Sequence, residues 1–123
     1  MSQMLIYEPD RKKQKKLKKI LQELCLKIDE EIPIHEINNE EEALQYMQEE
    51  TVAVAFVSWD KPKGFFISKA MKVKNYRLNV VVLCETEYKF IHEFWHYHMS
   101  GYVIGEPTRE KVQEELENLR YSW

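Results

Sequence analysis

Residues 51–64 read TVAVAFVSWDKPKG, and this stretch decides the fold. Val52 to Val57 is apolar without a break. A run that short and without alternation suits a strand buried on both faces, hence a central parallel strand. It ends abruptly in Ser58, Trp59, Asp60, Lys61, Pro62, Lys63 and Gly64. In open α/β sheets, ligands and chemistry sit beyond the carboxyl ends of such strands, so Ser58 is expected near the functional end.

Working outward, Asn79–Cys84 (NVVVLC) reads as a second buried strand, and a helix is expected between the two, over Phe65–Tyr76. Upstream, Met4–Tyr7 reads as a strand, and Pro9 biases Glu8 toward extended backbone. Asp10 is placed as a helix N-cap. Leu17, Ile20, Leu21, Leu24, Cys25 and Ile28 then form one amphipathic stripe, predicting a helix over 11–29. Its other face carries Lys12, Lys13, Lys15, Lys16, Lys18 and Lys19, a solvated face or a dock for an acidic partner or a phosphate backbone.

Ile32–Ile37 alternates and contains Pro33, the mark of an edge strand. Asn38 or Asn39 caps a short helix over Glu40–Glu49, with Ala43, Leu44 and Met47 inward. A helix over Glu87–Met99, a strand over Gly101–Gly105 and a helix over Thr108–Leu119 complete the chain, with Val112, Leu116 and Leu119 inward. Pro107 sits at that last helix's start. Five strand–helix units in strict alternation imply a parallel sheet with helices on both faces. Right-handed crossovers and the edge position of Ile32–Ile37 favour the flavodoxin-like α/β order 2-1-3-4-5.

A chain of 123 residues forms one domain, 1–123, with a net charge of −3 that gives no global argument for nucleic acid or an acidic membrane. Cys25 and Cys84 are far apart without metal-type spacing, so reduced thiols in a cytoplasmic protein are expected. No apolar run approaches a membrane span and no signal-peptide pattern opens the chain. The three glycines are scattered, which argues against a flavin- or nucleotide-binding loop.

In this arrangement the chain resembles a response-regulator receiver domain. MLIYEPDR resembles the first strand with its acidic turn, AFVSWDKPKG the phosphoacceptor strand and its Asp-x-x-x-Pro loop, VVVLCET the fourth strand, and GYVIGEP the fifth strand with its Lys-Pro ending. Tyr88, Phe94, Tyr102 and Pro107 fall where LytTR-type regulators carry the same residue types. The resemblance implies two-component signalling, a histidine kinase or output domain as partner, and a DNA-binding output domain outside this stretch. It also implies homodimerisation through the fourth helix, fifth strand and fifth helix, and a cis Glu106–Pro107 bond. This domain itself is expected to bind neither nucleic acid nor membrane, and no cofactor or metal is expected.

The departures are chemical. Active receivers carry an acidic pair, a phosphorylatable Asp, a Thr or Ser and a Lys; here stand Glu8 with Pro9, then Ser58, Cys84 and Glu106. Mg²⁺ demands near-octahedral oxygen ligands, and Pro9 and Ser58 each remove a carboxylate. A wrong-sign charge about 5 Å from the phosphoryl group, as at Glu106, costs roughly 3 kcal/mol at an effective dielectric of 20. The expectation is a pseudo-receiver, independent of phosphorylation. Asp60 is a conceivable substitute acceptor, although the receiver register aims it elsewhere. Cys84 is a buried structural cysteine or a reactive thiol. Tyr88, Phe90, Phe94, Trp95, Tyr97 and Tyr102 are too many aromatics for one inner face, and an interface is expected there.

The enzyme alternative is a zinc metallopeptidase. His92, Glu93, Phe94, Trp95 and His96 spell His-Glu-x-x-His, which on a helix could share a zinc. No third ligand is evident: His98 is two residues on and about 200° around a helix from His96. These histidines are therefore expected as surface or interface residues, and the protein not as an enzyme.

Overall fold

The computed structural model describes residues 2–27, 32–86 and 91–122. Five strands and five helices alternate: β1 (Ser2–Tyr7), α1 (Arg11–Lys27), β2 (Ile34–Glu36), α2 (Glu40–Glu49), β3 (Thr51–Ser58), α3 (Pro62–Lys74), β4 (Asn79–Cys84), α4 (Ile91–His96), β5 (Gly101–Ile104) and α5 (Arg109–Glu117). The strands form one parallel sheet of order β2-β1-β3-β4-β5, the expected order.

Each face of the sheet buries its own side chains. Met4, Ile6, Val54, Phe56, Val81 and Val103 pack with Leu17, Leu21 and Leu24 of α1 and Val112 of α5. Leu5, Ala55, Val57, Val80 and Val82 pack on the other face with Ala43 of α2 and Ile67 and Met71 of α3. β3 is buried from Val52 to Ser58, as its unbroken apolar run requires. Burying a side chain of Phe56's kind contributes roughly 2–3 kcal/mol.

Local chemistry sets the boundaries. Asp10 Oδ1 accepts the backbone N–H of Lys12 at 3.0 Å and of Lys13 at 3.3 Å, capping a helix with no acidic residue in its first turn. Asn39 caps α2 by accepting from Glu42 N at 2.9 Å. Thr108 caps α5 by accepting from Lys111 N at 3.3 Å, so Pro107 precedes the cap and is not the first helical residue.

Three expectations change. First, α3 begins at Pro62, because proline suits a helix's first turn; the stretch taken as loop is already helical there. Second, α4 ends at His96, and His98 takes a left-handed φ of 57°; residues 87–90, with Tyr88 and Phe90, lie outside the described residues. Third, the Glu106–Pro107 bond is trans. The chain leaves β5 through Gly105 at φ 74°, backbone that glycine enters without a Cβ penalty.

Candidate functional site

At the carboxyl end of the sheet a cleft is lined by Glu8, Asp60, Leu83, Cys84, Glu85, Gly105 and Pro107, with Lys13 and Leu17 of α1. Each strand end places its residue where the sequence pattern stops being apolar. Glu8 follows β1 directly and is buried. Its Oε1 accepts the N–H of Asp10 at 3.0 Å. Burial pushes its carboxyl above the ordinary range; Asp60 and Asp10 push the same way, against the Asp10 N–H bond and the Lys13 charge.

Ser58 ends β3, 3% exposed and paired in register with Leu83. Trp59 is fully buried on the α3 side of the sheet. Its Nε1–H donates to Ser68 Oγ at 2.8 Å, and its ring meets Phe65 edge-on at 5.4 Å. On sequence Trp59 belongs to the loop; the signal for its burial is the period of two through Ala55, Val57 and Trp59, which continues the strand one step past Ser58. Asp60 turns back into the cleft, where its Oδ1 accepts the N–H of Glu85 at 2.9 Å. The receiver register aims it elsewhere; here it lines the same cleft as Glu8.

Cys84 lines the cleft and is buried, whereas Pro9 is exposed at its edge. Glu106 is not among the lining residues. Its side chain is exposed and pairs with Lys16 at 3.4 Å. The cation at the cleft is Lys13, one of the six lysines on the polar face of α1, and it pairs with Glu85.

The donor set does not fit an octahedral divalent cation. Of the three carboxylates that line the cleft, Glu8 and Asp60 each have one oxygen taken by a backbone N–H, and Glu85 is paired with the Lys13 ammonium in the same cleft. Among the described residues no group of three or more His, Cys, Asp or Glu is arranged to hold a metal. That includes the His92–His96 pair, whose rings stack at 5.7 Å on exposed side chains of α4.

The aromatic face is divided. Trp95 is 65% and Tyr102 42% exposed, and Phe94 meets both rings edge-on at 5.4 and 5.5 Å. Tyr97 turns inward to Phe65 at 5.6 Å. No helix among the described residues is long and apolar enough to cross a membrane.

No family model matches the chain, and no curated protein matches it. Solved structures do. The chemotaxis protein CheY4 of Vibrio cholerae is 16% identical, with 97% of this chain and 98% of that one covered at a TM-score of 0.80. A two-component response regulator from Clostridium difficile is 19% identical, covering 95% and 93% at 0.76. The response regulator TrrA of Thermotoga maritima, solved in complex with Mg(2+)-BeF, is 17% identical, covering 95% and 97% at 0.74. At these identities the likeness is one of architecture: the chain has the fold of response-regulator receiver domains.

Proposed function

We propose that this domain is a receiver of two-component signalling that accepts no phosphoryl group and acts by binding a protein partner. The observation that carries this reading is Ser58 at the end of β3, buried and not among the residues that line the adjacent cleft; those residues include no histidine. A receiver's reaction needs an in-line carboxylate nucleophile, a divalent cation over the phosphoryl oxygens and a cation to hold the product. A serine hydroxyl without a base is a poor nucleophile. Glu8 and Asp60 are engaged with backbone N–H groups, and the Lys13 ammonium is neutralised by Glu85. Asp60 is exposed and lines the cleft, and its hydrogen bond to Glu85 N argues against its competing for the phosphoryl group.

The partner is a histidine kinase or an output domain, and the LytTR-type pattern of Tyr88, Phe94, Tyr102 and Pro107 favours a DNA-binding output domain. The α4–β5–α5 face, with Trp95 and Tyr102 exposed, is the proposed homodimer surface. Restoring the missing groups tests the reading. The variant Ser58→Asp, Pro9→Asp, Glu106→Lys should gain acid-labile phosphate from acetyl phosphate and Mg²⁺. Equal labelling of the unmodified chain would reject it.

A further inference from the structure

Helix α3 carries charge of one sign. Between Lys61 and Leu78 stand Lys61, Lys63, Lys69, Lys72, Lys74 and Arg77, and no aspartate or glutamate. Lys72 turns inward to the carbonyls of Tyr76 and Leu78; the other five are exposed. No ion pair reaches Lys63, Lys69 or Lys74 among the described residues.

Between these cations the helix exposes apolar surface. Phe66 is 56% and Val73 79% exposed, and Tyr76, just past the helix, 67%. At about 100° per residue, Phe66, Ala70 and Val73 share an arc of roughly 60° and span roughly 10 Å along the axis. Lys63 and Lys74 border that stripe on one side and Lys69 on the other. At its amino end Phe66 opens onto a groove between α2 and α3, lined also by Leu44, Pro62, Glu40 and Glu41.

We propose that the outer face of α3 docks an acidic amphipathic segment of a partner protein. Its apolar residues would cover Phe66 and Val73, and its carboxylates would meet the two lysine borders. Charge decides among the occupants. Glu40 and Glu41 line the groove at the Phe66 end, so the carboxylates of a bound segment must sit over Lys63, Lys69 and Lys74 and its apolar residues over Phe66. A flat anionic bilayer cannot separate its charges in that way and leaves the groove unfilled. Among the described residues a second copy offers no exposed large apolar side chain on its acidic helix α2. The surface is distinct from the α4–β5–α5 face and stands whether or not the domain is phosphorylated.

The test selects helical peptides from a displayed library against the whole protein and maps the best binder by amide chemical shifts. Enriched sequences should carry apolar residues at i, i+3 or i+4, and i+7 with flanking acids, and should perturb α3. Phe66→Ser with Val73→Ser, and separately Lys63→Glu with Lys69→Glu and Lys74→Glu, should each weaken binding at least about tenfold. All are exposed positions, so folding is retained. Selected peptides without that pattern, or shifts elsewhere, would overturn the proposal. So would binding to phosphatidylserine vesicles, or a dimer, that the Phe66 and Val73 pair abolishes.

Discussion

Gly64 lies so close under the carbonyl oxygen of Ser58 that a Cβ at position 64 would overlap that oxygen. The first turn of α3 is thereby seated directly on the end of β3, and the turn that carries Asp60 into the cleft depends on it. Both sides of the contact are backbone, so neither yields by a rotamer change. Gly64→Ala should destabilise the domain by about 3 kcal/mol, the upper end for overpacking a tight site. Urea denaturation reads the loss; a change below about 0.5 kcal/mol would contradict this placement of α3.

Glu8 provides a pH-dependent readout of the cleft. Its folded pKa is raised, first by burial, so the folded state favours the protonated carboxyl. That contribution to stability is present below the ordinary carboxylate pKa and is lost as pH rises through the folded value. Glu8→Gln keeps an acceptor for Asp10 N and removes the charge. The variant should be more stable than the parent at neutral pH, and the difference should vanish in acid. A variant less stable at neutral pH would mean that the charged carboxylate is held by a cation.

Asn79 ties the chain's last turn to the opposite end of the sheet. Its Nδ2 donates to Tyr121 O at 2.8 Å, and its Oδ1 accepts from Tyr121 N at 2.9 Å and from Ser100 Oγ at 2.7 Å. Lys72 lies 4.9 Å from the Tyr121 ring centroid. Burial, then the Arg120 charge, lowers the Lys72 pKa from 10.5 to about 8. The unfolded chain therefore binds more protons between about 8 and 10.5, and stability should rise with pH across that window. Lys72→Met should flatten the rise, by on the order of 2 kcal/mol. An unchanged pH profile in thermal melts would contradict the assignment.

Trp95 and Tyr102 are exposed, so their removal should cost association and little stability. Trp95→Ala with Tyr102→Ala should convert a dimer to a monomer in sedimentation, with Tm nearly unchanged. A parent that is monomeric at high concentration, with partner binding intact in the double variant, would remove this face from the account.

The fold was legible because β3 and β4 are apolar without interruption and the other elements alternate around them. Hydrophobic pattern sets strands and helix faces: Leu17, Leu21, Leu24 and Val112 are buried as their spacing requires, whereas Leu44, Met47, Leu116 and Leu119, in or just past the shorter helices, are only partly buried. The site was less legible because it depends on side-chain direction after the pattern ends. Trp59 looked like a loop residue, yet it continues the inward alternation of β3. Asp60 and Lys13 reach the cleft from a turn and a lysine-rich helix, where nothing in the local sequence marks one lysine among six. Glu106 sits at the strand end as read, but Lys16 draws its side chain outward.

The central claim is that the cleft accepts no phosphoryl group. The most direct measurement is intact mass, with acid-labile phosphate analysis, after incubation with acetyl phosphate and Mg²⁺. The account predicts an unchanged mass and no acid-labile phosphate. Stoichiometric addition at Ser58 or Asp60 would contradict it.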